Sequence, residues 1–187
     1  MPSIAARIEM IAMQRVLSLG ARLRGAGAQA PPVPPFAIVM LGSLGCSLAI
    51  LAAFLLGRAL GSAPAVLASL GASCFLAFCV PASPLAQPRA IIGGHLATSL
   101  AGLAATAVFA DPMIAATVGV GLGAAAMQLG RCGHPPAGAN PIIIALTQPG
   151  LALLWTLVLP GALAVTAVAL IFNVLRSDVR YPQYWQG

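Results

Sequence analysis

Acidic residues are scarce in this sequence, and lysine is absent. The chain of 187 residues holds three acids, Glu9, Asp111 and Asp178, and all nine of its basic residues are arginines. Charged residues make up 6% of the sequence, whereas soluble domains carry roughly 25%. A water-facing surface cannot be built from so few charges, so the composition excludes a soluble globular fold.

Hydrophobic residues fill the space that the charges leave. They make up 60% of the chain, and the mean hydropathy is +0.99. The net charge of +6 comes from arginines that cluster near the two ends, where positive residues set membrane topology. No aromatic residues alternate with them, so we expect no nucleic-acid partner. The sequence therefore predicts an integral membrane protein whose surroundings are the lipid bilayer.

Breaks rich in proline and glycine divide the sequence into apolar spans. A helix needs ~20 residues to cross the hydrocarbon core. The predicted spans are residues 36–56, 65–80, 91–109, 113–129 and 151–175. The expected fold class is an all-α membrane protein with about five transmembrane helices and proline-broken or re-entrant segments. Residues 142–147 are apolar but too short to cross alone, so six crossings are possible if they complete a broken helix.

Three regions are expected along the chain. Ile4, Ile8 and Ile11 share one helical face among arginines, which favours an amphipathic interfacial helix over a partly ordered leader. The predicted regions are a leader and linker at 1–35, a transmembrane domain at 36–175 and an interfacial tail at 176–187. The leader holds four arginines and the tail two, which favours a cytoplasmic N-terminus. We expect a bacterial inner (plasma) membrane location.

Two proline-rich breaks form part of an internal repeat. A shift of 52 positions places Leu70 on Leu122, Pro84 on Pro136 and Ile91 on Ile143. Each copy contains a small-residue helix, a break and a new apolar segment, and repeats are common in transporter folds. If the two breaks meet, two half-helix ends form one site, and helix N-termini favour anions.

Both histidines lie near these breaks. His134 opens the His-Pro-Pro run, and His95 follows two glycines in the third span. Ionisable residues at membrane depth often mark a pathway or a proton relay. The structural alternative is an imidazole that bonds a neighbouring carbonyl and locks the loop.

Polar residues around the breaks complete the candidate site. Arg89 and Arg131 either set topology or form an electropositive vestibule that concentrates anions. Gln87 and Asn140 offer amide donors, although Asn140 also suits an ordinary helix start. The full set of candidate substrate-binding residues is Ser83, Gln87, Arg89, His95, Arg131, His134, Pro135, Pro136 and Asn140.

Metal binding and catalysis have weaker support. Cys132 and His134 offer two metal ligands and His95 a third, but there is no second spaced pair. The four cysteines are Cys46, Cys74, Cys79 and Cys132. They lack C-x-x-C spacing, so we interpret them as buried apolar residues. No acid lies near His134 in the sequence, and there is no G-x-S-x-G motif, so we expect no enzyme, no metal and no cofactor.

The two breaks carry a family resemblance. Residues 83–89 read Ser-Pro-Leu-Ala-Gln-Pro-Arg, residues 92–95 read Ile-Gly-Gly-His, and residues 134–139 read His-Pro-Pro-Ala-Gly-Ala. Together they resemble the signatures of the HPP family of integral membrane proteins over about residues 36–175. Ala90 and the pair Asn140-Pro141 depart from the expected pattern, which has Asn and Thr there. A different anion would be selected if those positions touch substrate.

The resemblance implies a carrier or channel for a small inorganic anion, with nitrite the leading candidate. His134 would donate a hydrogen bond or a titratable charge, the arginines would attract the ion, and the amides would bind it. A homo-oligomer is expected because spans rich in small residues bury little surface alone. The rivals are a proton- or metal-linked transporter that uses both histidines, and a structural or signalling membrane protein without transport.

Overall fold

The structure is a computed structural model, and it describes Met10, Met13, Gln14 and residues 29–61 and 68–186. The chain divides into a unit of residues 1–34 and a unit of residues 35–187. The predicted amphipathic leader and residues 65–67 of the second span lie outside the described residues. Every regular element within the described residues is helical, which confirms the all-α fold class.

The described residues of the larger unit form six α-helices. They are α1 Phe36–Ala59, α2 Ala68–Cys79, α3 Pro88–Val108, α4 Pro112–Leu129, α5 Asn140–Thr147 and α6 Leu159–Val174. A π-helical turn, Leu154–Val158, leads directly into α6. Among the described helices, α1, α3, α4 and the continuous stretch Leu154–Val174 are long and apolar enough to cross a membrane. α2 is a shorter apolar helix.

Proline and aspartate fix where the helices begin. α3, α4 and α5 each carry proline within their first two positions, where the missing N–H costs no hydrogen bond. Asp111 caps α4, because its Oδ1 accepts from the backbone N–H groups of Met113 at 2.8 Å and Ile114 at 2.9 Å. Pro160 lies in the first turn of α6, just past the π-helical turn Leu154–Val158.

The helices run between two ends of one bundle. Arg89 of α3 bonds the carbonyls of Gly130 and Arg131, just after α4. Asn173 and Arg176, at the end of α6, bond the carbonyls of Ala77 and Phe78, at the end of α2. We call this end the arginine end. The start of α1 also lies there, since a Cβ built on Gly42 would be 3.2 Å from Cys79 Sγ.

The opposite end contains the turn around Asp111, and we call it the aspartate end. α5 reaches it, because Ala145 packs with Ala105 near the end of α3 and Ala115 near the start of α4. The chain then turns back through Gln148, with φ 44, and Gly150, with φ 73. α5 and the 3₁₀ turn before it thus carry the chain from the arginine end to the aspartate end. With this broken segment counted, the chain passes through the bundle six times.

The two repeat copies run in the same direction. Each break contains a 3₁₀ turn, Pro84–Ala86 in the first and Pro135–Ala139 in the second. The helices after the breaks begin at Pro88 and Asn140, and the shift of 52 relates these positions, because 88 plus 52 is 140. Both breaks lie at the arginine end. The copies are thus parallel, and the breaks meet side by side.

Close helix contacts depend on glycine at a few positions. Pro141 of α5 packs between α3 and α4, where a Cβ added to Gly102 would lie 2.8 Å from Pro141 Cα and one added to Gly119 would lie 2.9 Å from Pro141 Cβ. A Cβ added to Gly123 would lie 3.1 Å from Thr98 Cγ2. A Cβ added to Gly121 would meet nothing within 4 Å, so this glycine makes no close helix contact among the described residues.

Candidate functional site

His134 joins the two breaks. Its Nδ1 lies 2.7 Å from the carbonyl oxygen of Leu85 in the first break. Its Nε2 lies 2.7 Å from Ser73 Oγ on α2. The side chain is 1% exposed, so the motif that looked most anomalous in the sequence places its imidazole inside the bundle.

His95 approaches the same serine from α3. Its Nε2 lies 2.9 Å from Ser73 Oγ, and its ring centroid lies 5.2 Å from that of His134. Gly94 makes this approach possible, because a Cβ there would lie 2.6 Å from His134 Cβ. The two histidines therefore form one pair, bridged by a hydroxyl.

Asn140 extends the cluster at the start of α5. Its Nδ2 lies 3.0 Å from His95 Nδ1 and 2.9 Å from Ser99 Oγ. Its Oδ1 is buried and has no hydrogen-bond partner among the described residues. We define the buried polar cluster as Ser73, His95, Ser99, His134 and Asn140, all of which are at most 1% exposed.

Donor and acceptor chemistry fixes the neutral state of the pair. The Leu85 carbonyl only accepts, so His134 Nδ1 carries the proton and its Nε2 accepts. With the carboxamide placed as it is, Asn140 Nδ2 donates to His95 Nδ1, so His95 carries its proton on Nε2. Ser73 then accepts from His95 and donates to His134. The result is a one-way hydrogen-bond chain from Asn140 to the Leu85 carbonyl.

Ser83 and Gln87 hold the first break in shape. Ser83 Oγ accepts from the N–H of Leu85 at 3.2 Å and so caps the 3₁₀ turn. Gln87 is fully buried, and its Nε2 donates to the carbonyls of Pro81 at 2.9 Å and Ser83 at 2.8 Å. Its Oε1 accepts from the N–H of Gln183 at 2.7 Å. These contacts place both side chains within the loop.

The segment after α6 lies across this break. Tyr181 donates to the Ala86 carbonyl and Tyr184 to the Pro84 carbonyl, both at 2.9 Å. Burial raises the pKa of the Tyr181 phenol, which stays protonated and able to donate. Arg176 pairs with Asp178, and the hydrogen bond from this guanidinium lowers the pKa of the Asp178 carboxyl. The tail is therefore part of the structure that supports the site.

Arg89 and Arg131 lie at the rim of the arginine end. The Arg89 guanidinium bonds the Gly130 carbonyl at 2.9 Å and the Arg131 carbonyl at 3.2 Å, which satisfies the end of α4. The Arg131 side chain is exposed, and its backbone is left-handed with φ 50. A cavity of about 340 Å³ lies beside Arg89, lined also by Cys132 and Trp185. Its charge comes from Arg89.

Pro135 and Pro136 start the second 3₁₀ turn. Pro135 is exposed and Pro136 half-buried, while the following Ala137 is fully buried. α4 has already ended at Leu129, and the turn that Pro135 and Pro136 begin leads directly into α5. The predicted site residues thus fall into two sets. His95, His134 and Asn140 lie in the buried cluster, and the others lie at the arginine end.

Sequence reasoning missed Ser73 and Ser99. Both lie on apolar helices, where a lone serine gives no local signal of its partners. Ser73 lies on α2, which was interpreted only as a span. Within the described residues, no three His, Cys, Asp or Glu side chains converge so as to hold a metal ion.

A histidine pair buried inside an apolar bundle with helices long enough to cross a bilayer defines a helical integral membrane protein with buried ionisable groups. Residues 31–182 match the family described as "HPP, transmembrane region". The chain therefore belongs to the HPP family.

A transmembrane protein of Dictyostelium discoideum is 33% identical over 128 residues, which cover 64% of this chain and 45% of that protein. A second transmembrane protein of that organism is 31% identical over 128 residues, covering 64% of this chain and 41% of its own length. The chain spans less than half the length of these relatives. No solved structure matches it.

Proposed function

We propose that this protein carries a small monovalent anion, most directly nitrite, across a membrane. The observation that supports this most is the buried polar cluster, in which two imidazoles and a carboxamide lie inside an apolar bundle. Burying polar groups in such surroundings is costly, and ionisable residues at membrane depth are functional by default. The choice of nitrite comes from the resemblance to the HPP family.

The charge pattern supports an anion over a cation. Four of the five described arginines, Arg89, Arg131, Arg176 and Arg180, lie at the arginine end, and the fifth, Arg58, lies in the last turn of α1 at the aspartate end. The carboxylate of Asp178 is paired with Arg176, and Asp111 lies at the other end, where it caps α4. Positive charge at a mouth raises the local concentration of anions. An ion attracted to this rim would meet the buried polar cluster next.

The same pattern supports an orientation. Positive residues stay on the cytoplasmic side of a membrane, so we infer that the arginine end faces the cytoplasm. The start of α1 and the end of α6 then share that side. A bacterial plasma membrane remains our proposal for the location.

We also propose transport in place of catalysis. Ser73 lies 2.7 Å from His134 Nε2, as a nucleophile lies beside its base, but both side chains are fully buried. His134 Nδ1 bonds the Leu85 carbonyl, where a hydrolytic triad has a carboxylate, so the base lacks its usual acidic partner. The helix surfaces support a homo-oligomer, because Gly121 leaves a small-residue surface on α4, and such surfaces pack against other helices in membranes.

Flux measurements in liposomes test the main proposal. Purified protein would be reconstituted, and nitrite, nitrate, formate and chloride fluxes measured beside protein-free vesicles. His134→Asn is the informative variant, since its amide keeps an N–H for the Leu85 carbonyl. We expect nitrite flux to fall about tenfold, equivalent to ~1.4 kcal/mol in the barrier.

Ser47→Ala is the matched control. Ser47 lies on α1 and bonds only the carbonyl of Ser43, one turn away, so the nitrite flux of this variant should equal that of the wild type. Wild-type protein that is folded and yet moves no anion above the protein-free rate would refute transport. Equal nitrite flux in His134→Asn and wild type would remove His134 from the pathway.

A further inference from the structure

Ser73 Oγ has three hydrogen-bond partners, and it can bond to them in two different ways. Its Oγ lies 2.9 Å from His95 Nε2, 2.7 Å from His134 Nε2 and 3.2 Å from the Ser69 carbonyl. A hydroxyl has one proton to donate and two lone pairs to accept with. In the neutral pair Ser73 accepts from His95 and donates to His134, and the Ser69 carbonyl is left as a spare acceptor.

Adding one proton uses that spare acceptor. If the lone pair of His134 Nε2 takes a proton, both imidazoles donate to Ser73 Oγ and fill its two lone pairs. The hydroxyl proton then swings to the Ser69 carbonyl, one turn back on α2. Rotation about a single side-chain bond satisfies the charged state, and no ring or helix has to move.

No comparable binding position exists in the cluster for a second proton. It would have to bind His95 Nδ1, which faces the N–H groups of Asn140 at 3.0 Å. It would also put two positive charges on rings whose centroids are 5.2 Å apart, and like charges so close disfavour double protonation. The cluster is therefore built to hold one proton.

Other titratable groups do not supply charge at this depth. The described titratable residues on the elements around the cluster are Cys46 and Arg58 on α1, Cys74 and Cys79 on α2, Arg89 on α3, Arg131 and Cys132 before the second 3₁₀ turn, and Arg176, Asp178, Arg180, Tyr181 and Tyr184 after α6. α4, α5 and α6 contain none, and Asp111 and Asp178 lie at the two ends. Among the described residues, an anion that has passed the arginine rim would meet no further fixed positive charge until Arg58, in the last turn of α1 at the aspartate end.

Resting on the proposed function, we propose that the histidine pair takes up one proton for each anion, so that the two cross together without net charge. The proton comes from water and forms an N–H bond at His134 Nε2. That bond breaks when the proton returns to water on the other side, and no electrons are transferred. The imidazolium supplies the counter-charge that makes a desolvated anion tolerable inside the bundle.

Liposomes that contain a pH-sensitive dye test the coupling. Nitrite would be added under a membrane potential set by potassium and valinomycin, and the passive entry of nitrous acid would be subtracted with protein-free vesicles. We expect one proton taken up per nitrite and a flux that the potential does not change. A nitrite flux that follows the potential and carries no proton would overturn this inference and leave anion transport standing. No protein-dependent nitrite flux would overturn both.

Three serine variants assign the coupling to the cluster. Ser73→Ala removes the swinging hydroxyl and should lower nitrite-driven proton uptake about tenfold. Ser73→Thr keeps a hydroxyl and should retain the coupling, which separates this chemistry from a folding defect. Ser69→Ala is the matched control, because Ser69 contributes only its backbone carbonyl to the cluster. Full coupling in folded Ser73→Ala, or loss in Ser69→Ala alone, would contradict the proposed role of Ser73.

Discussion

The imidazole rings of His95 and His134 lie 5.2 Å apart, tilted by 57°, and both turn Nε2 toward one serine hydroxyl. The two residues come from different copies of the internal repeat, one past the first break and one at the second. Their opposite outer partners, an amide donor for His95 and a carbonyl acceptor for His134, give the two rings different roles.

The outer partners predict a different neutral tautomer for each histidine. His95 should carry its proton on Nε2, and His134 should carry its proton on Nδ1, because the Leu85 carbonyl can only accept it. Nitrogen-15 NMR of histidine-labelled protein in lipid, at neutral pH, distinguishes these forms. His134→Asn leaves one histidine signal and so assigns the spectrum. Finding the same tautomer at both positions would contradict the one-way chain.

Gly94 should tolerate no side chain. A Cβ at Gly94 would lie 2.6 Å from His134 Cβ and 3.1 Å from the Cys132 carbonyl, so Gly94→Ala should lower the free energy of unfolding by ~1–3 kcal/mol. Gly71→Ala is the matched control, since a Cβ on this exposed residue of α2 would meet nothing within 4 Å, and the change should be neutral or stabilise its helix by up to ~1 kcal/mol. Unfolding in detergent measures both, and equal effects would disprove the close contact.

Six passages predict which positions share a side of the membrane. Single cysteines at Arg131 and Gln186 should react with an impermeant maleimide from one side, and a cysteine at Ala110 should react from the other. Cys79 is exposed, so the interpretation of all four cysteines as buried residues is wrong at this position. It would be changed to serine in all three variants. Labelling of intact cells and of inverted vesicles reads out the side. If the cysteines at Gln186 and Ala110 react from the same side, α5 does not cross the membrane.

The ion pair in the tail predicts an acid-sensitive contribution to stability. The Arg176 hydrogen bond holds the pKa of Asp178 below its ordinary value. The ionised carboxylate therefore stabilises the fold above its unfolded-state pKa, and this contribution disappears as the pH falls through the folded-state pKa. Asp178→Asn should lower the free energy of unfolding at neutral pH and match wild type in acid.

A double variant isolates this contribution. With Arg176→Gln already present, Asp178→Asn should have the same small effect at every pH, because the carboxylate has lost its partner. Denaturant unfolding at several pH values, on all four proteins, gives the coupling. A pH dependence that persists without Arg176 would assign it to another group.

The sequence determined most of the fold because its signals are local. Proline and Asp111 mark helix starts that depend only on neighbouring residues, so the predicted spans agree with the observed helices within a few residues. The relative direction of the two repeat copies could not be predicted from the sequence, since parallel and inverted copies share the same order of segments. Contacts between α5 and the aspartate end decide that question, and they lie far apart in the chain.

The candidate site was predictable to a lesser degree. Histidines in an apolar sequence are conspicuous, so His95 and His134 were found. Ser73 was missed because its role depends on two residues from other helices. Gln87 was interpreted as an amide donor for a substrate, while the structure places both ends of that amide on backbone groups of the first break and the tail. Whether it also serves a substrate stays a prediction.

The position of the tail has a consequence for how the protein is made. The carbonyls of Ala86 and Pro84 receive their hydrogen bonds from Tyr181 and Tyr184. Synthesis proceeds from the N-terminus, so the ribosome completes α3, α4, α5 and α6 before these donors emerge. During that interval the first break has to keep its carbonyls in contact with water or with the insertion machinery. The hydrogen bonds of the first break are thus completed only after the segment that follows α6 has been synthesised.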